Sequence, residues 1–185
     1  MTISFISECL IRMIMKIPVL YVHDRGSDYL DLANQWKIDG IEIETSDSAD
    51  EAIKIIKNQH LVAIITEAVV PPGTLQDPGL SYLWNRYRRQ RVEPQLDIEH
   101  QSRNETKWTP YIDTAKYLIG VARQSRNAKA RIMIASRFEP NGSANLRHAQ
   151  QTFRDAGADA YFYLDEMQGC DDLTREVMRI ARNAR

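Results

Sequence analysis

The residue around which chemistry would be organised is Glu67. It follows the unbroken apolar run Leu61-Val62-Ala63-Ile64-Ile65-Thr66 and precedes Ala68-Val69-Val70 and the stop Pro71-Pro72-Gly73. A run with no polar alternation is what a central strand of a parallel sheet looks like when both faces are covered. Glu67 then stands at the carboxyl edge of the sheet, where open α/β folds place ligands and chemistry. Other polar residues close comparable runs: His23 and Asp24 after IPVLYV, and Ser136 at the end of RIMIAS. Asp24, Glu67 and Ser136 would together line a pocket. His23, Asp24 and Glu67 have the donor types of a zinc site, although nothing in their spacing selects that metal. A second feature is basic and aromatic: Trp84-Asn85-Arg86-Tyr87-Arg88-Arg89-Gln90-Arg91. No Ser-His-Asp or Cys-His arrangement can be assembled, and Gly26 stands alone after the first run, so the dinucleotide fingerprint is absent.

The elements that must position these residues follow from periodicity. IPVLYV over 17–22 is the first strand. A helix follows over 28–36, with Tyr29, Leu32, Ala33 and Trp36 at helical spacing, ending at Gly40. Residues 41–45 alternate apolar and acidic, as a half-buried edge strand does. Ser46-Asp47-Ser48 supplies a turn and an N-cap, with Asp50 and Glu51 in the first turn of a helix that ends near Asn58. After the strand that leads to Glu67, residues 79–90 read as a helix with Leu80, Leu83, Trp84 and Tyr87 on one face. Residues 91–110 are polar and aperiodic, long enough for a functional loop. Then come a helix opened by Pro110, a fourth strand over 131–136, a helix over 144–155, a fifth strand over 160–164 and an amphipathic helix over 171–182. Alternation of this kind predicts an α/β fold with a parallel sheet.

Composition sets broad bounds. The chain has 185 residues, 43% hydrophobic and 26% charged, with net charge −1. These values fit one soluble globular domain and supply no whole-molecule field for nucleic acid or membrane. Cys9 and Cys170 lie far apart and without metal-ligand spacing, which fits a reducing cytoplasm. The first residues are apolar but short and carry Glu8 and Arg12. They make neither a membrane span nor a signal peptide. We read 1–14 as an extension and 15–185 as the domain, with an insertion at about 74–108 between the third and fourth strands.

The order and punctuation resemble the receiver domain of two-component response regulators. The resemblance runs from Ile17 to Arg182 apart from the insertion. Tyr21-Val22-His23-Asp24 is similar to the strand end that carries paired magnesium-binding acids in receivers. Ser46-Asp47-Ser48-Ala49-Asp50-Glu51-Ala52 resembles the turn and start of the next helix. Glu67-Ala68-Val69-Val70-Pro71 has the spacing of the phosphoacceptor Asp and the Pro four positions on. Ser136 falls on the switch Thr or Ser, and Ala156-Gly157-Ala158-Asp159-Ala160-Tyr161 matches the Gly-Ala-Asp-x-Tyr approach to the fifth strand. The resemblance implies a flavodoxin-like (receiver-like) five-stranded parallel sheet with helices on both faces. It also implies a cytoplasmic regulatory module of a phosphorelay.

The departures carry as much meaning. The first acid of the metal pair is His23, the phosphoacceptor position is Glu67, and the expected Lys falls on Leu164, with Asp165 in place of the Pro after it. Phosphoryl transfer is mostly positioning and charge neutralisation. Glu67 carries its carboxylate one methylene further out, and a displacement of ~1 Å can cost roughly a hundredfold. His23 removes a hard oxygen ligand, and Leu164 removes a cation. Asp24 and Glu67 are left as a weak site for magnesium, so we expect no cofactor and no metal. A fixed charge at Glu67, hydrogen-bonded by Ser136 across adjacent strand ends, would make a pseudo-receiver held in one state.

Two functions stand. One is an atypical, stand-alone receiver-like module that regulates through protein–protein contacts without phosphorylation and without catalysis. We expect no output domain after the helix over 171–182, so such a module would act through a signalling partner or effector. The resemblance implies a homodimer surface on the fourth strand, the fifth strand and the last helix, near Tyr161, Tyr163 and Met167. The alternative is a small α/β enzyme or anionic-ligand-binding protein that uses the strand-end pocket and Arg86, Arg88, Arg89 and Arg91. Trp84 and these arginines are candidate contacts for a ligand or partner, because Trp, Tyr and Arg dominate interfaces. We read them as a helix with a basic solvated face rather than a nucleic-acid surface, with Asp97, Glu99 and Glu105 near enough in sequence to neutralise it. The two functions separate on whether these arginines fold over the strand carboxyl ends.

Overall fold

The computed structural model describes residues 16–23, 41–89, 109–136, 143–164 and 167–184. The helix expected over 28–36, together with Asp24, Arg91, Asp97, Glu99, Glu105 and Asp165, lies outside the described residues. Five strands form one sheet: β1 (Ile17–Val22), β2 (Ile41–Ser46), β3 (Ala63–Thr66), β4 (Arg131–Ser136) and β5 (Ala160–Tyr163). All neighbours pair in parallel, in the order β2-β1-β3-β4-β5. That order is the flavodoxin-like one, whose switch point lies between β1 and β3. The described helices are α1 (Ala49–Asn58), α2 (Pro78–Arg89), α3 (Thr109–Arg123), α4 (Ser143–Asp155) and α5 (Met167–Asn183). The last begins before the sequence expectation of residue 171.

Alternation along the strands splits the core in two. Leu20, Val22, Ile64, Ile132 and Ile134 face one side, where they pack with Ile53 and Ile56 of α1, Leu80 and Trp84 of α2, Leu118 and Ile119 of α3, and Phe153 of α4. Val19, Tyr21, Ala63, Ile65, Met133 and Ala135 face the other and pack with Leu173, Val177 and Ile180 of α5. Apolar residues on both faces explain why the strand runs show no polar alternation. The exception is β2, an edge strand, whose Glu42 is exposed and whose Glu44 is half-buried.

The segment after β3 is built rather than loose. α1 begins after Ser48, but the Ser48 side chain makes no cap. Its first amide groups donate instead to proline carbonyls, Ala49 N–H to Pro71 O at 2.8 Å and Asp50 N–H to Pro72 O at 3.1 Å. Asp50 is buried and accepts from Thr74 Oγ1 at 3.1 Å, Gln76 N–H at 2.8 Å and Asp77 N–H at 2.9 Å. Asp77 in turn caps α2, accepting from Gly79 N–H at 3.0 Å and Leu80 N–H at 3.1 Å. It also accepts from Tyr117 Oη at 2.7 Å and Lys57 Nζ at 2.8 Å. Burial alone would push the Asp77 carboxyl up, but the hydrogen bonds from Lys57, Tyr117 and Leu80 outweigh it and bring it down to about 2. Gly73 sits at φ 83°, a conformation that suits a residue without Cβ.

Two polar residues, the buried Asn127 and the half-buried Arg123, fix the opposite end of the sheet. Asn127 accepts from Leu61 N–H at 2.7 Å and donates to Ile56 O at 2.7 Å and Gln59 O at 3.0 Å. Arg123 donates to the carbonyls of Gly157, Ala128 and Ala130 and to the Asp159 carboxylate, all within 2.9 Å.

Candidate functional site

The carboxyl edge gathers the strand-end residues through backbone bonds. His23 N–H donates to Ser46 O at 3.0 Å, Glu67 N–H to Val22 O at 3.1 Å, and Leu164 N–H to Ser136 O at 3.0 Å. Each is the ladder continuing one residue past the end of a strand. Glu67 therefore lies directly beyond the junction of β1 and β3, the switch point of the sheet. Its side chain is buried, at 6% exposure, and Thr66, Ser46 and Ser136 around the same edge are more deeply buried still.

Tyr161 completes the cluster. Its hydroxyl shares a hydrogen bond with Ser136. Burial first, and then the negative charge of Glu67, push the phenol up to about 12 despite that bond. Sequence reasoning placed Tyr161 near a dimer face and paired Ser136 with Glu67. The structure gives Ser136 the tyrosine as a partner and sets Glu67 within electrostatic reach of the phenol. The Gly-Ala-Asp-x-Tyr signature was the signal that pointed to this position. On the β1 side, the half-buried His23 ring lies 5.6 Å from the Tyr21 ring.

Leu164 sits at this edge but turns away from it. It is 4% exposed and belongs to the apolar cluster of Met133, Ala135, Leu173 and Val177 under α5. Magnesium, which receivers use, needs several hard oxygens. Among the described residues this edge offers Glu67, with His23 in place of one acid, and Asp24 lies outside them.

The basic cluster divides. Trp84 is 5% exposed, donates from Nε1 to Thr114 Oγ1 at 2.9 Å and meets the Tyr111 ring edge-on at 5.3 Å. This corrects its assignment as a ligand or partner contact: it is core, anchoring α2 to α3. Tyr87 is likewise buried and bonds Asp113 through its hydroxyl. Burial and that carboxylate push its phenol up to about 12. Arg86 and Arg89 are exposed on the other side of α2, and Arg88 is exposed on its flank. α2 thus packs on α3 by its apolar face, and its arginines point to solvent.

No family model matches the sequence, and no curated protein is similar to it at the sequence level. Solved structures are similar in fold. The chemotaxis response regulator CheY4 of Vibrio cholerae superposes with TM-score 0.55 at 14% identity, over 90% of this chain and 99% of that one. The chain has the receiver fold. A receiver domain of a Pseudomonas aeruginosa sensor histidine kinase, solved with magnesium in its active-site cleft, gives TM-score 0.55 at 11% identity, over 90% of this chain and 98% of that one. Lysine decarboxylase A of the same organism contains the fold too, with TM-score 0.55 at 21% identity, over 92% of this chain but 19% of that enzyme. Among the described residues no helix is long and apolar enough to cross a membrane.

Proposed function

We propose that this protein is an atypical receiver-like regulatory module of the cytoplasm that acts through protein contacts and does not depend on phosphorylation. The observation that carries the reading is Leu164. At the position where receivers hold the phosphoryl-binding lysine, this chain has a side chain committed to the core under α5. Glu67 then carries a fixed charge with no cation at that position to read it. The Ser136–Tyr161 hydrogen bond beside Glu67 supports a pocket held in one arrangement rather than switched by chemistry. Binding of a partner, or a homodimer formed through β4, β5 and α5, would take the place of the phosphoryl signal. β5 is an edge strand with half-buried side chains, which suits that role. The alternative of an anionic-ligand enzyme needs the arginines of the insertion over the strand ends. Arg86 and Arg89 lie on the side of α2 opposite its buried face, which lends that alternative no support.

The test is incubation with acetyl phosphate and magnesium, followed by intact mass and peptide mapping. No mass change is expected. One phosphoryl group on Glu67 would overturn the reading.

A further inference from the structure

The outer face of α2 carries a stripe of four residues, Tyr82, Asn85, Arg86 and Arg89, at the i, i+3, i+4, i+7 spacing of one helix side. All four are exposed, and Tyr82, at 76%, is the large hydrophobic side chain left in solvent among the described residues. Arg88 flanks the stripe. The helix contains no Asp or Glu, and its arginines make no ion pair among the described residues. Among the described residues the Arg86 guanidinium lies over the Tyr87 ring of its own helix, its Cζ 5.7 Å from the ring centroid. The opposite side of α2 is clamped by the Asp77 cap, the Trp84–Thr114 bond and the Tyr87–Asp113 bond. The stripe is therefore held on a rigid support, which lowers the entropy lost when something binds it.

We infer that this stripe docks an acidic segment of a protein partner. The inference rests on the reading of the protein as a contact module, and gives that module a second surface away from β4, β5 and α5. Three considerations select the occupant. Arginines without acids on the same helix ask for carboxylates, and Arg takes them bidentately. An exposed tyrosine among arginines is the composition of protein hot spots. Nucleic acid is the poorer fit. The chain carries net charge −1, and the stripe is one convex helix side, not a groove that tracks a backbone.

The experiment is fluorescence anisotropy with the full chain and a labelled helical peptide of glutamate and leucine, beside a labelled oligothymidylate, with sedimentation of the chain alone. The peptide is expected to bind and to weaken as salt rises. Arg86→Glu combined with Arg89→Glu should weaken it by roughly tenfold or more, and Tyr82→Ala by less. Circular dichroism of the double variant should match the parent, since both positions are exposed. Absence of peptide binding, or equal binding by the double variant, overturns the inference. So does oligothymidylate binding that exceeds the peptide and is lost in the double variant, or self-association through the stripe. Phosphoryl labelling of Glu67 would defeat the regulatory reading without changing this titration, so the two failures are separable.

Discussion

The Leu164 amide donates to the Ser136 carbonyl at 3.0 Å, while the Leu164 side chain is packed under α5. The residue at the lysine position is thus fixed beside the residue at the switch position, yet contributes to the core. Leu164→Ala should lower stability by about 2–5 kcal/mol, the range for a leucine cut out of a packed interior. Thermal or urea unfolding measures it. A loss below about 1 kcal/mol would mean that Leu164 is not a core residue.

Asp77 makes the fold acid-sensitive in a defined window. Its carboxyl titrates near 2 in the folded chain against an ordinary 3.8. The folded value is depressed, so its contribution is present above about 4 and disappears as pH falls toward about 2. The contribution is about 2 kcal/mol at most. Urea midpoints of the parent should fall across that window, and Asp77→Asn should flatten the slope there while lowering stability at neutral pH.

Gly79 lets α2 approach α3. A Cβ at this position would meet Tyr117 Oη at 1.9 Å and its ring carbon at 2.6 Å. Gly79→Ala should destabilise by about 1–3 kcal/mol. The same change in a Tyr117→Ala background should cost clearly less, because the clash is gone. Strict additivity in the double-mutant cycle would refute the contact.

Asn127 holds the end of α1 and the start of the run into β3 by three hydrogen bonds to backbone groups. Asn127→Ala leaves those groups buried or half-buried without it and should cost about 1–3 kcal/mol. Faster amide exchange at Leu61 in the variant is the specific sign, since a general loss of packing would not single out that proton.

Much of this architecture was legible. Ile64, Ile65, Ile132 and Ile134 sit in runs with no polar gaps, which requires covered strands. The alternating IEIET at the edge marked β2 as half-covered. Strand ends then put Glu67, His23 and Ser136 at one edge. What could not be read came from partners distant in sequence. Ser48 has the type of an N-cap, but the carbonyls of Pro71 and Pro72 reach the same amides first. Asp50 was expected as a first-turn acid of the helix, but it also accepts three bonds from the segment leading to α2. Trp84 had the composition of a contact residue, and only the placement of Thr114 and Tyr111 turns it inward. Nothing local in the sequence announced Arg123 as a donor to three separate carbonyls.

The bond from Tyr87 to Asp113 joins the last turn of α2 to the first turns of α3. It brackets the chain between Arg89 and Thr109 with two anchored ends. The entropy of closing a loop rises slowly with its length, by ~0.6 kcal/mol for each doubling. Lengthening the chain between those two ends is therefore expected to cost the fold little. A peptide tag, a protease site or a whole small domain could be spliced there, which makes the α2–α3 junction a natural port for building new specificity onto an unchanged sheet.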